Sequence, residues 1–207
     1  MISLYLSLGS NLGDRKANIR EALRLLDESF GVGYESLSDL IETESWGFEA
    51  DKFINCAVLY KLPRTRQSTE DQALDILKTV KAVERRLGRD EVLEFAPDGS
   101  RIYHSRSIDI DILFFGPHRI LIDTLPECSD AAAAHAVAGP LSAAVSFGDG
   151  LHHDDGSCPS AAGPCPAGAP VLQIPHPLIT ERDFVMIPLA QIAKNSLKRE
   201  FPSIFKN

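Results

Sequence analysis

The segment SRSIDIDILFFGPHRILID, residues 105–123, places two aspartates, Asp109 and Asp111, inside an otherwise apolar strand pattern. Residues two apart in a strand point to the same face, so the two carboxylates project together and the isoleucines beside them project to the opposite face. An unpaired charge is costly to bury. The alternation therefore predicts a strand with one face in the core and one polar face, as is ordinary in antiparallel sheets.

The two carboxylates allow two interpretations. Side chains about 7 Å apart on one strand face repel each other when both are negative, unless a positive charge lies between them. A hard dication bound through carboxylates and substrate phosphates suits that arrangement. A solvent-exposed strand face explains the same alternation without a ligand, so Asp109 and Asp111 alone leave both interpretations open.

Hydrophobic periodicity places a mixed set of elements around this strand. The predicted strands cover 1–8, 34–43, 53–61, 108–115 and 119–122, and the predicted helices cover 15–29, 68–87 and 183–192. Asp14 is a candidate N-cap of the first helix, and Gly88 is a candidate C-cap of the second. Strand–helix–strand–strand–helix–strand is the order of a ferredoxin-like split βαβ layout. The sequence therefore predicts an α+β fold with a ferredoxin-like βαββαβ core, in which helices pack on one face of an antiparallel sheet.

The composition changes between residues 124 and 170, which are rich in Ala, Gly, Pro and Ser and poor in large apolar residues. Such a segment cannot easily offset its own ordering entropy. We expect a flexible low-complexity insertion at 124–170, with at most a short helix over 129–138, inside a single domain formed by 1–123 and 171–207. The HHDD cluster at 152–155 is interpreted as solvated, because it is isolated in a Gly/Pro-rich tract.

The bulk composition bounds the class of protein. The chain has 207 residues, a net charge of −8 and 44% hydrophobic residues, which fits one globular domain with a real core. The acidic balance argues against a general nucleic-acid binder. No apolar segment approaches membrane-spanning length and no basic leader precedes the first strand, so we expect a cytoplasmic protein. The four cysteines fit no metal or disulfide pattern, and Cys56 is expected to be a small core residue.

Residues before the aspartate strand and after the insertion supply complementary chemistry. Arg106 precedes the strand, and the segment IPHPLITERDF at 174–184 holds His176, Arg182 and Phe184 close together. Carboxylates for magnesium, arginines for phosphate and aromatic rings for a flat ligand are the parts of a nucleotide-dependent phosphoryl-type transfer. Taken singly, each has an ordinary explanation as a surface cation, a turn residue or a core anchor.

These and three further segments carry a resemblance to a known family. The matching segments are LSLGSNLGDR at 6–15, TESWGFEADKFINCAV at 43–58, VERRLGR at 83–89, RSIDIDILFFG at 106–116 and IPHPLITERDFVMIPLAQI at 174–192. Over 1–123 and 171–195 the chain resembles the 6-hydroxymethyl-7,8-dihydropterin pyrophosphokinases of the folate pathway. In that family ATP gives its terminal pyrophosphoryl unit to the hydroxymethyl group of the pterin and leaves AMP.

The resemblance implies an ATP site around the aspartate strand. Asp109 and Asp111 would hold two Mg²⁺ ions that bridge the ATP phosphates and the attacking hydroxyl. Arg106 and Arg182 would neutralise phosphate charge, and the backbone of Ile112 would help to seat the adenine. The implied ATP-binding residues are Glu84, Tyr103, Arg106, Ile112, His176 and Arg182, and the implied catalytic residues are Arg89, Arg101, Arg106, Asp109 and Asp111.

The resemblance also implies a pterin site. The pterin would stack between Phe53 and Phe184, and the amide of Asn55 would match its amino-pyrimidinone edge. The implied pterin-binding residues are Thr43, Ser45, Trp46, Phe53, Asn55 and Phe184. A strand-edge cap is the ordinary explanation of Asn55, and a solvated helix carboxylate is that of Glu84. The turn GSNLG at 9–13 is interpreted as a support of the ligand loops.

The loop 90–103, DEVLEFAPDGSRIY, departs from the family pattern, because it is acidic at its start and has no clear second loop arginine. Arg89 matches the first of the family's pair of loop arginines, and Arg101 is a candidate substitute for the second. Tyr103 stands where an aromatic residue is expected. Slower turnover or a different loop closure would follow from these changes.

The main alternative is a non-catalytic nucleotide- or pterin-binding module of the same fold. The joint presence of Arg106, Asp109, Asp111 and His176 favours the enzyme over this module. An RNA-binding ferredoxin-like domain is disfavoured by the acidic balance and by the lack of an RNP-type aromatic strand. We expect a monomer whose partners are ATP and the pterin, with no nucleic acid and no membrane.

Overall fold

A computed structural model describes residues 1–45, 50–89, 104–123 and 171–205, and the backbone alone of 94–95 and 101–102. The strands are, in chain order, β1 (Ile2–Ser10), β2 (Ser36–Leu37), β3 (Ile41–Thr43), β4 (Phe53–Leu62), β5 (Glu94–Phe95), β6 (Arg101–Ile102), β7 (Asp109–Phe115), β8 (Ile120–Ile122) and β9 (Leu172–Ile174). The helices are α1 (Arg15–Phe30), α2 (Thr69–Arg86), α3 (Asp183–Ile192) and α4 (Asn195–Glu200), with a 3-10 turn at Ile179–Glu181.

An antiparallel sheet in the order β2–β4–β1–β7 forms the centre of the fold, and β3 also pairs with β4. Each of these neighbouring pairs is antiparallel. Because β4 lies between β1 and β2, and β7 lies on the far side of β1, the topology is the split βαβ arrangement of ferredoxin-like folds. The predicted fold class is confirmed.

The first face of the sheet is covered by α1 and α2. Asp14 caps α1 as predicted, since its carboxylate accepts a hydrogen bond from Ala17 N–H at 2.9 Å, and Gly88, with φ of 79°, follows the end of α2. The apolar stripe of α1 packs against alternate leucines of β1, including Leu4 and Leu8. Burial of each large apolar side chain contributes about 1.5–3 kcal/mol, so this layer is a main source of stability.

The prediction of one continuous strand over 34–43 is wrong, because the segment forms two short strands, β2 and β3. Between them Ser38 donates its backbone N–H to Ala57 O at 2.9 Å, but its side-chain hydroxyl accepts the hydrogen bond from Ala57 N–H at 2.8 Å. The hydroxyl thus replaces the backbone carbonyl that a regular ladder would use. Both strands still pair with β4, on either side of this break.

The second face of the sheet is covered at one end by α3 and α4, a layer that the sequence analysis did not place. Tyr5 of β1, Leu59 of β4 and Phe114 of β7 pack against these helices. A register shift between Tyr5 and Leu6 inserts one extra residue into β7, so Leu113 and Phe114 both belong to this apolar cluster. The other end of the same face carries polar residues and the candidate site.

The described contacts divide the chain into two units, Met1–Ile122 with Leu172–Asn207, and Asp123–Val171. In the first unit β8 and β9 pair antiparallel, with Ile122 opposite Leu172. The insertion predicted at 124–170, with its short helix and its HHDD cluster, lies outside the described residues. Among the described helices none is long and apolar enough to cross a membrane.

Candidate active site

A cavity with about 600 Å³ of empty space, part of it open to solvent, lies at the polar end of the second sheet face. Its walls come from β1, β3, β4, β7 and the start of α3. The predicted site residues that line it are Thr43, Phe53, Asn55, Arg106, Asp109, Asp111, Arg182 and Phe184.

Asp109 and Asp111 project from β7 into this cavity, on the face that the alternation predicted. The register places Asp109 opposite Gly9 and Asp111 opposite Ser7 of β1. The two carboxylate side chains are 25% and 32% exposed. Because glycine and serine are small, β1 leaves the space beside both carboxylates open to a ligand.

Three arginines surround the two carboxylates. Arg89 Nη1 lies 2.6 Å from Asp109 Oδ1, and Arg106 Nη1 lies 2.7 Å from Asp109 Oδ2. Arg182 Nη1 lies 3.5 Å from Asp111 Oδ2. Burial alone would raise the pKa of Asp109, but the guanidinium groups of Arg89 and Arg106 outweigh it and hold that pKa below its ordinary value.

Asp111 has a different electrostatic environment. Burial and the neighbouring charge of Asp109 raise the pKa of Asp111 to about 6, against the opposing effect of Arg182. The negative charge of Asp111 is therefore less fully neutralised than that of Asp109, and a cation bound beside Asp111 would stabilise it.

The donor set decides which metal the pair fits. In the described part of the chain no group of three or more His, Cys, Asp and Glu side chains gathers to hold a metal. Two carboxylates beside open space fit Mg²⁺, which is commonly bound through one or two carboxylates and completes its shell with water and substrate phosphate. The residues of the pair are thus compatible with the predicted magnesium.

Glu84 of α2 is fully buried and supports the strand that carries the aspartates. Its Oε1 accepts hydrogen bonds from Ile110 N–H, at 2.8 Å, and from Arg89, and its Oε2 lies 2.8 Å from Lys81 Nζ. Burial raises the pKa of Glu84. The interpretation of Glu84 as a solvated carboxylate is therefore wrong. For the predicted contact with ATP, Glu84 would have to give up one of these bonds.

On its outer edge, opposite β1, the strand β7 has backbone N–H and C=O groups that point away from the sheet. The bond from Ile110 N–H to Glu84 shows that Ile110 turns its N–H away from β1. Backbone direction alternates along a strand, so Ile112 turns its N–H and C=O towards the same edge. This is the orientation that the predicted contact between the Ile112 backbone and adenine requires.

His176 is anchored to β7. Its backbone N–H donates to Leu113 O at 3.3 Å, and its Nδ1 accepts a hydrogen bond from Leu178 N–H at 3.3 Å. Burial, together with the charge of Arg182, lowers the pKa of His176 to about 4. The imidazole is therefore neutral near pH 7 and carries its proton on Nε2, where it can donate a hydrogen bond.

The residues predicted to bind the pterin share the same cavity. Phe53 and Phe184 both line it, and the Arg182 guanidinium carbon lies 5.7 Å from the centre of the Phe184 ring. Asn55 is 3% exposed and donates from Nδ2 to Thr43 Oγ1 at 2.9 Å. Since β4 is paired on both sides at Asn55, the interpretation of this residue as a strand-edge cap is wrong.

Gly9 is a site residue that the sequence analysis missed. A Cβ atom at Gly9 would lie 2.7 Å from Asn55 Oδ1 and 3.5 Å from Phe53 Cδ1, so the missing side chain makes room for the Asn55 amide. The predicted strand ended at residue 8 and left Gly9 in a turn, whereas β1 continues to Ser10, so the close approach that a glycine inside a strand often marks was not recognised. Ser7 and Lys81 were also missed, because their relation to the site depends on strand register and on helix packing.

Three predicted residues cannot be placed by their side chains. Trp46 and Tyr103 lie outside the described residues, and Arg101 is described only by its backbone, in β6. Ser45, at the start of the same loop as Trp46, accepts a hydrogen bond from Ala50 N–H at 3.3 Å. The roles of the first three stay predictions.

Comparison with known proteins identifies the family. A family model described as 7,8-dihydro-6-hydroxymethylpterin-pyrophosphokinase matches residues 5–194. The chain belongs to this family. It is a pterin pyrophosphokinase, a diphosphotransferase of folate biosynthesis that uses ATP as its co-substrate.

Curated relatives agree with the family model. A 2-amino-4-hydroxy-6-hydroxymethyldihydropteridine pyrophosphokinase from Porphyromonas gingivalis is 31% identical over 194 residues, which cover 93% of this chain and 92% of the relative. A protein of the same name from Aquifex aeolicus is 26% identical over 94% of this chain and 82% of its own length. A folate synthesis bifunctional protein from Arabidopsis thaliana is 36% identical over 59% of this chain and 22% of its own length. The family expected from the sequence motifs is confirmed.

Proposed function

We propose that the cavity between β4 and β7 is where this pyrophosphokinase acts, with ATP held along β7 and the pterin between Phe53 and Phe184. The observation that carries the proposal is that one cavity is lined by the carboxylates of Asp109 and Asp111, the guanidinium groups of Arg106 and Arg182, and the rings of Phe53 and Phe184. Phosphoryl-type transfer depends on positioning and charge neutralisation more than on covalent chemistry by the protein. The hydroxymethyl oxygen attacks the β-phosphorus of ATP and releases its proton to solvent, the bond between that phosphorus and the α–β bridging oxygen breaks, and AMP leaves with that oxygen.

Asp109 and Asp111 are the proposed magnesium ligands, for two ions as the family resemblance implies. Bound Mg²⁺ would neutralise phosphate charge and help to orient the phosphates towards the attacking hydroxyl. The crowding of the two carboxylates supports this assignment, because a cation that joins the pair relieves their mutual repulsion. Arg89 and Arg106 keep Asp109 oriented through both of its oxygens.

Arg106 and Arg182 are the proposed phosphate-binding arginines. Their side chains are 17% and 14% exposed and line the cavity, so their charges are weakly screened by solvent. A planar guanidinium carries five N–H donors and can bind a carboxylate and a phosphate together. In the proposal Arg89 has the same function on the Glu84 side, and Arg101 and Tyr103 act from the loop.

The adenosine part of ATP is proposed to bind along the outer edge of β7, on the side away from β1. The Ile112 backbone offers one donor and one acceptor there, which suits the edge of an adenine ring. The neutral imidazole of His176 would donate from Nε2 to an ATP oxygen near the phosphates. Glu84 serves this edge indirectly, through its bonds to Ile110 and Arg89.

The pterin is proposed to stack between Phe53 and Phe184 above the sheet. Thr43 holds the Asn55 carboxamide, so the amide can present donor and acceptor groups to the amino-pyrimidinone edge of the ring. Ser45 and Trp46 belong to the loop that the proposal places at the pterin.

The remaining features of the proposal concern the whole enzyme. It is a monomeric, cytoplasmic protein without a nucleic-acid or membrane partner, whose catalytic domain is formed by 1–123 and 171–207 and interrupted by an insertion at 124–170.

The substitution Asp111→Asn tests the proposed site. It keeps the size of a partly exposed side chain and removes the charge, so we expect the fold to persist and AMP release to fall by about 100-fold or more. The assay contains Mg²⁺, ATP and 6-hydroxymethyl-7,8-dihydropterin.

Asp75→Asn is the matched control, because Asp75 lies on α2 with its side chain 52% exposed and bonded to Gln67 and Lys78. This control should release AMP at the wild-type rate. Wild-type turnover in Asp111→Asn would refute the metal-binding role. A folded wild-type protein that binds both ligands without releasing AMP would favour the non-catalytic binding module.

A further inference from the structure

The turn that follows β1 contains a buried asparagine that the proposed function does not use. Asn11 belongs to the GSNLG segment and is only 2% exposed. A buried carboxamide has two donor and two acceptor positions to satisfy, so its partners show what it holds in place.

One set of partners lies on the segment that leads into β7. Asn11 and Arg106 exchange two hydrogen bonds, from Asn11 N–H to Arg106 O at 3.1 Å and from Arg106 N–H to Asn11 Oδ1 at 2.6 Å. Asn11 Nδ2 also lies 3.1 Å from Ser105 Oγ. Asn11 therefore fixes the backbone of Arg106, the residue whose guanidinium reaches Asp109.

The other partner lies on the segment that leads into β4. Asn11 Nδ2 donates to Asp51 O at 3.3 Å. Asp51 stands two residues before Phe53, which lines the pterin side of the cavity. A single carboxamide thus bonds the lead-in segments of both ligand-binding strands, which are separated by more than fifty residues in the chain.

We infer that Asn11 is a positioning residue, which fixes the phosphate-binding Arg106 and the pterin-binding Phe53 segment relative to each other through its two-sided hydrogen bonding. The inference rests on the proposed function, since it takes Arg106 and Phe53 as ligand-binding residues. Transfer of a group between two bound substrates depends steeply on their relative placement. A residue that bonds both lead-in segments therefore controls the rate of transfer as well as the binding of each ligand.

Asparagine is specifically suited to this position. The Arg106 side requires an acceptor and the Asp51 side requires a donor, and a carboxamide supplies both from one planar group. Aspartate would keep the acceptor for Arg106 N–H but would face the Asp51 carbonyl oxygen with a second oxygen. Alanine would leave Arg106 N–H and Asp51 O without these bonds.

Two substitutions separate the two sides. In Asn11→Asp we expect the KM for the pterin to rise about tenfold, with the KM for ATP within about twofold of the wild type, because the bond to Asp51 O is lost whereas the Ser105 hydroxyl can reverse and donate to the new oxygen. In Asn11→Ala we expect both KM values to rise and kcat to fall about tenfold, because the side-chain bonds on both sides are lost and only the backbone bond from Asn11 N–H to Arg106 O remains. Steady-state AMP release, normalised to the folded fraction measured by circular dichroism, gives these values.

Asn18→Ala is the matched control. Asn18 lies near the start of α1, and its Nδ2 donates to Leu12 O at 2.8 Å and to Ser10 Oγ at 3.3 Å. These bonds hold the turn itself and do not reach Asp51 or Arg106. The control should keep all three kinetic constants close to wild-type values.

The outcomes separate positioning from simple structural support. If Asn11→Ala loses activity only in proportion to its unfolded fraction, with unchanged KM values, Asn11 is structural and the inference is wrong. If Asn11→Ala does not fold, Asn11→Asp decides, and equal changes in its two KM values would overturn the two-sided role. If the wild-type protein releases no AMP, the proposed function is overturned. If the wild type is active and the Asn11 variants have its KM and kcat values, this inference alone is overturned.

Discussion

Asp109 and Asp111 stand two residues apart in one strand, yet their electrostatic settings differ. Asp109 is bonded by Arg89 and Arg106, whereas the guanidinium of Arg182 lies 3.5 Å from Asp111. Strand alternation predicts the face on which both carboxylates lie. It cannot predict the bond with Arg89, because that arginine is 20 residues away and reaches the strand from the end of α2. The shared face of Asp109 and Asp111 was thus predictable from the sequence, but the arginines that neutralise them depend on helix packing.

Gly9→Ala is expected to weaken pterin binding while the protein stays folded. The added Cβ would lie 2.7 Å from Asn55 Oδ1, and the Asn55 amide can swing away because it is the end of a side chain. We expect the Kd for 6-hydroxymethylpterin, measured by its fluorescence, to rise about tenfold. Gly33→Ala is the control, since a Cβ at Gly33 meets no atom within 4 Å. Unchanged pterin affinity in Gly9→Ala would show that pterin binding does not depend on the position of the Asn55 amide.

The imidazole of His176 is expected to remain neutral well below pH 6. Its folded-state pKa of about 4 lies below the value of about 6.5 for an unfolded chain. Between these two values the unfolded chain binds more protons, so the His176 contribution to the free energy of unfolding is complete above pH 6.5 and is lost as the pH falls towards 4. An NMR titration of the ring nitrogens, assigned with His176→Gln, checks both the pKa and the proton on Nε2. A midpoint near pH 6.5 would contradict the burial of this ring.

At the scale of elements, local signals predicted three helices and the strands at 53–61, 108–115 and 119–122 to within one residue of their observed ends, but they missed α4. The first two helices were predicted within one residue of their observed ends and the third at its observed ends, because caps and the apolar period are local features. The break at Ser38 and the extra residue at Leu113 could not be predicted, since both depend on bonding across the sheet. The extra residue matters for function, because Phe114 then joins the α3 and α4 layer while Asp111 faces the cavity.

Glu84→Ala is expected to destabilise the contact between α2 and β7. The buried carboxylate bonds Ile110 N–H, Arg89 and Lys81, and its removal leaves buried groups unpaired. We expect the free energy of unfolding, from urea denaturation, to fall by about 3 kcal/mol. Glu70→Ala, at an exposed position in the first turn of the same helix, should cost less than about 1 kcal/mol. Equal losses in the two variants would mean that Glu84 does not support β7.

At the scale of the whole molecule, the layer that covers only one end of the second sheet face explains where the site lies. The helices α3 and α4 bury the Tyr5 end of that face, and small and polar residues such as Ser7 and Gly9 keep the other end open. The motif order and the ferredoxin-like core were predictable from β1 to β7. The cover by α3 and α4 was not, because α4 is a short helix with one buried residue, Leu197.

Replacement of residues 123–171 by Asn-Gly is expected to preserve both fold and activity. Ile122 and Leu172 are directly paired in β8 and β9, so a two-residue turn can join them as a hairpin. We expect an unfolding midpoint within about 5 °C of the full chain and a kcat within about twofold of it. Thermal unfolding and AMP release measure the two quantities. Loss of activity with retained folding would show that the segment 124–170 takes part in catalysis.

The central claim is that the enzyme transfers a diphosphate from ATP to the pterin in this cavity, and phosphorus-31 NMR of one reaction mixture tests it most directly. With wild-type protein, Mg²⁺, ATP and 6-hydroxymethyl-7,8-dihydropterin, we expect AMP and a pterin diphosphate to accumulate in equal amounts. In the Asp111→Asn variant we expect both products to form at least about 100-fold more slowly. Attack on the β-phosphorus requires this pairing of products. Formation of ADP with a pterin monophosphate, or equal product formation by wild type and Asp111→Asn, would contradict the proposed site and its chemistry.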